Sequence, residues 1–168
     1  MDGQRVELPS SAPKFRAAHR WLSPAEPSKK INATIILRRR KGPGDGEKLQ
    51  EELLSGSFRP VSREEAAQAL EADPADLAAV RSFLEQYGLS ITKESAEART
   101  LHVEGTAEQM SDAFGTRLGC FEDADGHRYL SYEGPLSVPK SLSGVITAVL
   151  GLDERPIAKH RGANASTQ

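Results

Sequence analysis

KINATIILR, residues 30–38, decides how this chain folds. Ile31, Thr34, Ile35 and Ile36 are β-branched, and the run is short for a helix, so it predicts a strand. Arg38-Arg39-Arg40-Lys41 and then Gly42-Pro43-Gly44-Asp45-Gly46 follow it, which is the chemistry of a loop. Successive side chains of a strand point to opposite faces. Ile35 and Leu37 therefore share one face, and Thr34 and Ile36 share the other.

Downstream, Ser62 and Glu65 form a capping box ahead of a short Ala-rich helix, about 63–71. Asp73 is an N-cap with Pro74 at the first helical position, and Leu77, Val80, Leu84 and Tyr87 recur at helical spacing until Gly88. Residues 89–92 and 99–104 read as strands. Thr106 and Gln109 make a second capping box, opening a helix that ends at Gly115. A strand over about 116–122, a turn at Asp123-Ala124-Asp125-Gly126 and a strand over 127–132 come next. Pro139 is expected to start a last helix, with Leu142, Val145, Ile146 and Val149 as its buried stripe. Upstream, residues 1–29 hold Pro9, Pro13, Pro24 and Pro27 without periodicity, and predict an extended arm anchored by Phe15, Trp21 and Leu22.

Strand, helix, strand, strand, helix, strand is the order of a ferredoxin-like α+β open sandwich, a βαββαβ core with both helices on one face of an antiparallel sheet. The expected organisation is an N-terminal arm (1–29), a ferredoxin-like domain (30–152) and a C-terminal linker (153–168). The opposite sheet face is left for solvent or a partner. With Leu101 and Val103 directed inward, Thr34, Ile36 and His102 are its outward residues.

The 168 residues suffice for a core without staples, and at 38% hydrophobic but only 5% aromatic that core is aliphatic. A net charge of −2 gives no electrostatic case for nucleic acid or an anionic membrane. The module that shares this strand–helix order and binds RNA stacks bases on aromatics of its central strands, and residues 33–37 and 100–103 contain none. No apolar run reaches the roughly 18 residues of a membrane span, and residues 1–15 lack the apolar core of a secretory signal. A single cysteine, Cys120, allows neither an internal disulfide nor a thiolate cluster.

Chemistry is sparse. Glu122, Asp123, Asp125 and His127 crowd one turn, but the further ligands of an EF-hand loop are missing, and turn chemistry explains them better. The four histidines lie far apart, and there is no Gly-x-Ser-x-Gly elbow or phosphate-binding glycine loop. No nucleophile with its base stands out, so no catalytic residue, metal site or cofactor is assigned.

Several segments resemble the activation domain of the sedolisin or kumamolisin family of serine-carboxyl peptidases. They are residues 35–40, 72–80, 113–116, Asp125-Gly126-His127-Arg128-Tyr129-Leu130-Ser131-Tyr132-Glu133-Gly134 and Val149-Leu150-Gly151-Leu152-Asp153-Glu154-Arg155-Pro156, with Leu8-Pro9-Ser10-Ser11 as the entry. They occur in order over about 30–160. Gly119 and Cys120 depart from the bulkier polar residues usual there. The resemblance implies a zymogen prodomain, an intramolecular chaperone and autoinhibitor of a secreted peptidase, removed by acid-triggered autoprocessing. Its partner would be the catalytic domain of the same precursor, which would carry the catalytic Glu, Asp and Ser and the family's calcium. The family's Ser-Gly-Thr-Ser nucleophile motif is absent from this chain.

On this reading the tail Arg155-Pro156-Ile157-Ala158-Lys159-His160 binds the protease cleft as extended chain, with Pro156 keeping Arg155 extended. Thr34, Ile36 and His102 contact the partner across the sheet face. The alternative, from a different class, is a free-standing ferredoxin-like regulatory or small-ligand-binding domain.

Overall fold

The computed structural model describes residues 3–15, 18–40, 51, 53–56 and 62–155. It is an α+β structure of antiparallel sheets and helices. In chain order its elements are β1 (Arg5–Glu7), β2 (His19–Pro24), β3 (Lys30–Leu37), α1 (Arg63–Leu70), α2 (Pro74–Gln86), β4 (Ser90–Ser95) and β5 (Thr100–Thr106). There follow α3 (Ala107–Phe114), β6 (Leu118–Asp123), β7 (Arg128–Tyr132), β8 (Ser137–Pro139), a 3-10 turn (Lys140–Leu142) and β9 (Ile146–Leu150).

Local sequence signals explain most boundaries. Ser62 and Thr106 each accept the N3 amide, and Glu65 and Gln109 answer to the cap backbone, so both capping boxes are complete. Asp73 accepts the amide of Ala75 at 2.8 Å, with Pro74 in the first turn. Arg38 grips the same helix start through two bonds to Asp76, at 2.7 and 3.0 Å. The hydrogen bond to Asp76 pushes the Arg38 guanidinium pKa up, against the opposing effect of desolvation. Arg40 lies 3.9 Å from Asp73. The described part of the basic run thus complements the two carboxylates at the start of α2.

The main sheet has the order β4-β5-β3-β9, with every neighbouring pair antiparallel. On β3, Ile31, Ala33, Ile35 and Leu37 are at most 3% exposed, while the residues between them are half-buried or exposed. Leu101 and Val103 continue that buried row, which joins one core with Leu77, Val80, Phe83 and Leu84 of α2 and Met110, Ala113 and Phe114 of α3. Each fully buried Leu, Ile or Phe contributes about 1.5–3 kcal/mol by area removed from water.

Two expectations need correction. The fourth strand of this sheet is β9, not the strand expected near 116–122, and there is no helix over 139–150. Leu142, Val145, Ile146 and Val149 are all buried, as the periodicity required, but as a 3-10 turn and a strand. Val145, Ile146, Thr147 and Val149 are β-branched and Gly144 interrupts the run, so strand geometry fits it better. A register shift between Ile36 and Leu37 lets Ile146 and Val149 both face inward, imitating helical spacing.

The β6–β7 hairpin instead forms a separate sheet, ordered β2-β6-β7. One face, with Leu118, Leu130 and Tyr132, adds to the main core. The other carries Phe121, fully buried, with Trp21 edge-on at 5.2 Å and Tyr129 stacked at 6.0 Å. A β-carbon on Gly119 would lie 2.1 Å from the Trp21 ring, so glycine is what admits the indole there. The Arg117 guanidinium sits 4.8 Å from the same ring.

The extended N-terminal segment pairs at two points, β1 with β8 and β2 with β6. Arg5 fastens it further. It donates to the Ser137 hydroxyl at 3.1 Å, the Tyr87 hydroxyl at 3.2 Å, and the carbonyls of Ala113 at 2.6 Å and Ser137 at 2.7 Å. A cation at the carbonyl end of α3 is also favoured by the helix dipole.

Gly151 closes the main sheet at φ +99°, where a β-carbon would lie 2.5 Å from the Asn32 carbonyl oxygen. Gly151→Ala is expected to cost on the order of 1–3 kcal/mol, read as a lower urea midpoint. An unchanged midpoint would show that the end of β9 is not held against β3.

Candidate partner-binding face and C-terminal exit

The face of the main sheet away from the helices is built by alternation. Register pairs Thr34 with His102 and Ile36 with Thr100 on one side of β3, and Thr34 with Leu150 and Ile36 with Ala148 on the other. Thr34, Ile36 and His102 therefore lie together on this face, each half-buried. Leu150 extends the patch and is 53% exposed. It is one of the few large apolar side chains that the described residues leave in solvent.

A hydrogen bond of 3.0 Å joins Thr34 Oγ1 to His102 Nδ1, and Thr92 donates to the His102 carbonyl at 3.2 Å. Lys93 pairs in register with His102 from β4. Further along, Lys30 lies 3.5 Å from Glu104. The face is an apolar strip, Ile36 to Leu150, beside one imidazole and rimmed by charge. It has the character of a binding surface.

The chain leaves this sheet through a fixed exit. Leu152 is 1% exposed, and the Glu154 amide donates to the Leu130 carbonyl at 2.8 Å, against β7. Asp153 accepts from Arg155 at Nε (2.7 Å), at Nη2 (2.6 Å) and at the backbone amide (3.2 Å). Arg155 Nη1 donates to the Lys14 carbonyl at 2.6 Å, and the guanidinium lies 4.9 Å from the Phe15 ring centroid. Phe15 in turn stacks on His19 at 3.5 Å and on Phe121 at 5.7 Å. Arg155 is thus half-buried against the domain itself. Pro156, Ile157, Ala158, Lys159 and His160 lie outside the described residues.

Asp123, Asp125 and His127 bring their ligand atoms within 4.8 Å of one another and could hold a cation. The turn already uses Asp123, whose Oδ1 accepts the amides of Asp125 at 2.9 Å and His127 at 3.0 Å. Glu122 is engaged by Arg20 and Arg128.

Alternation in the sequence was enough to place Thr34, Ile36 and His102. Leu150 was missed, because a helix over 139–150 hides the pairing that turns it outward. Asp153 was missed too. Its signal was Asp-x-Arg, a carboxylate two residues from a guanidinium in extended chain.

The match to known proteins runs along this same architecture. Residues 18–155, from the approach to β2 through Arg155, match the family described as pro-kumamolisin, activation domain. Kumamolisin of Bacillus sp. (strain MN-32) is 33% identical over 138 residues, covering 81% of this chain and 25% of kumamolisin. Tripeptidyl-peptidase sed5 of Aspergillus fumigatus is 25% identical over 161 residues, covering 84% of this chain and 27% of that protein. The chain spans about a quarter of the length of these curated relatives. The match defines an activation domain of a peptidase precursor. The chain belongs to the pro-kumamolisin activation domain family.

The Asp123 carboxyl is held below the usual carboxylate range, first by the His127 amide, against desolvation, with help from the Asp125 amide and the His127 ring. A depressed carboxylate contributes stability above its unfolded pKa, and that stability is lost as pH falls through the folded one. The urea midpoint should therefore exceed that of Asp123→Asn at pH 7, with the gap closing below about pH 4. A gap independent of pH would show that the turn does not use the charge.

Proposed function

We propose that this chain is the autoinhibitory, folding-assisting propeptide of a secreted serine-carboxyl peptidase of the sedolisin type, removed by acid-triggered autoprocessing. The observation that carries the proposal is the half-apolar outer face of the main sheet, where Ala148 lies beside Ile36 and Leu150, in solvent, beside Thr34. An antiparallel sheet often solvates one face, but an apolar strip rimmed by charge is how protein-binding sites are built. A preformed face of this kind can also template the partner's folding, because what binds the native state stabilises it.

The partner is the catalytic domain of the same precursor, which supplies the catalytic residues and any calcium. Residues 30–152 form the docking body. Residues 153–168 are the linker, in which Arg155, Pro156, Ile157, Ala158, Lys159 and His160 lead into the cleft. Backbone pairing along an extended segment supplies affinity there. Secretion follows from the role.

Acid release follows from charge. As pH falls, carboxylates at the interface lose their charge. Pairings that hold at neutral pH are thereby removed.

Added to that catalytic domain, the purified chain should inhibit tightly near pH 7 and weakly at about pH 3–4, below most reference carboxylate values. Leu150→Asp should weaken inhibition at pH 7 at least tenfold, about 1.4 kcal/mol, without moving the unfolding midpoint, since Leu150 is exposed. Equal inhibition constants at both pH values, with the domain still folded, would overturn acid release. No inhibition at either pH would return the chain to the class of free-standing regulatory domains.

A further inference from the structure

We propose that the cleft along β8 is a binding site for an extended segment of the pattern Arg-x-x-Leu-x-x-Ser, filled in this chain by Arg5, Leu8 and Ser11, and that its occupancy decides whether β9 is held on the main sheet. The inference stands on contacts within the chain and goes beyond the inhibitor reading.

Among the described residues β8 has one strand neighbour, β1, paired in register from Arg5 opposite Pro139 to Glu7 opposite Ser137. The pairing is extended at both ends. Lys140 donates its amide to the Gln4 carbonyl at 2.8 Å, and Leu8 donates to the Leu136 carbonyl at 2.7 Å. Strand addition of this kind takes affinity from the backbone and specificity from side-chain pockets.

Three such pockets are built here. The first takes a guanidinium. Arg5 reaches the Ser137 hydroxyl, the Ser137 and Ala113 carbonyls and the Tyr87 hydroxyl together, a set of neutral acceptors suited to a rigid fork of donors. Gly115 makes room for it at φ +58°, where a β-carbon would lie 2.2 Å from Ser137 Oγ and 3.3 Å from Arg5 Nε. Open clefts lie on either side of the Arg5–Tyr87 contact, so the guanidinium can be reached from solvent. The second pocket takes an aliphatic side chain, since Leu8 is buried in the main core. The third takes a hydroxyl. Ser11 Oγ accepts the Leu136 amide at 2.8 Å and donates to the Leu8 carbonyl at 2.7 Å, and Tyr132 donates to the Ser11 carbonyl at 2.6 Å. Between Leu8 and Ser11, Ser10 is held at φ +59°. A non-glycine residue keeps that left-handed conformation only where its surroundings impose it, so the cleft shapes the segment.

Emptying the cleft would strip both backbone groups of Leu136, a fully buried residue, of their partners, and β8 would have to move to satisfy them with water. From β8 the chain runs through the 3-10 turn into β9. At that junction the Arg38 amide donates to the Val145 carbonyl at 2.9 Å. The preceding amide, Leu37, donates instead to the Arg99 carbonyl at the β5 edge, also at 2.9 Å. Two neighbouring amides of β3 and its exit thus report separately on its two edges, and only the β9 edge hangs on β8. Leu150 lies at the end of β9, so on the inhibitor reading the cleft also governs the docking face.

Hydrogen exchange of the full 168-residue chain tests this without any peptidase, so its failure and that of the inhibitor reading are separable. In the double variant Arg5→Ala, Leu8→Ala, protection of the Leu136, Lys140 and Arg38 amides should fall by about tenfold or more while Leu37 is unchanged. A labelled synthetic peptide of residues 3–12 should bind this variant and restore all three amides. It should bind the wild-type chain about tenfold more weakly or worse, because the tethered segment competes at an effective concentration on the order of millimolar. Peptides carrying Arg5→Ala or Leu8→Ala should not bind. Arg5→Lys keeps the charge without the fork, and should show a smaller loss at the same amides; it carries the test where the double variant unfolds. Exposure of Leu136 and Lys140 with Arg38 still protected would rule out control of β9. Failure of the wild-type peptide to bind the folded double variant, or equal loss at Leu37 and Arg38 in Arg5→Lys, would overturn the proposal.

Discussion

The structure depends on β3 being paired along both of its edges. With β5 on one side and β9 on the other, every alternate residue from Ile31 to Leu37 is driven under the helices. A slip of one residue would turn that row outward and bring Thr34 and Ile36 into an aliphatic core. That cost fixes the register of three strands at once. It also draws the C-terminal part of the chain back across the molecule, because residues 146–150 fill the second edge of β3.

From that return follow the features with a functional bearing. Leu150 is the last residue of an edge strand and faces away from the core, so it must be solvated or covered by a partner. Gly151 turns the chain over the Asn32 carbonyl where no side chain fits, and Leu152 re-enters the core. Arg155 is then delivered to Phe15, a residue 140 positions away in sequence. Leu150 and Arg155 are thus five residues apart, at and just beyond the end of β9.

Much of this was legible locally. Both capping boxes and the Asp73–Pro74 start act within three or four residues, and they appear in the structure as read. Alternation along 30–38 and 99–104 is enough to put Thr34, Ile36 and His102 on one face. Residues 139–150 misled for a physical reason. Burial at Leu142, Val145, Ile146 and Val149 satisfies the helical period, and an irregular strand entered from a 3-10 turn can bury the same positions. The β-branched content was the better guide, and it was outweighed by periodicity.

By itself, then, the sequence determined which residues are inward on β3, where the helices start, and that the chain carries the ordered motifs of an activation domain. Those are short-range properties of side-chain shape, capping and alternation. Only the tertiary structure decided which strand fills the free edge of β3, which sheet takes the β6–β7 hairpin, and which aromatic rings meet Arg155. Each of those is a competition between distant segments for the same surface. Its outcome depends on the summed burial of two sheet faces at once, which no single stretch of sequence contains.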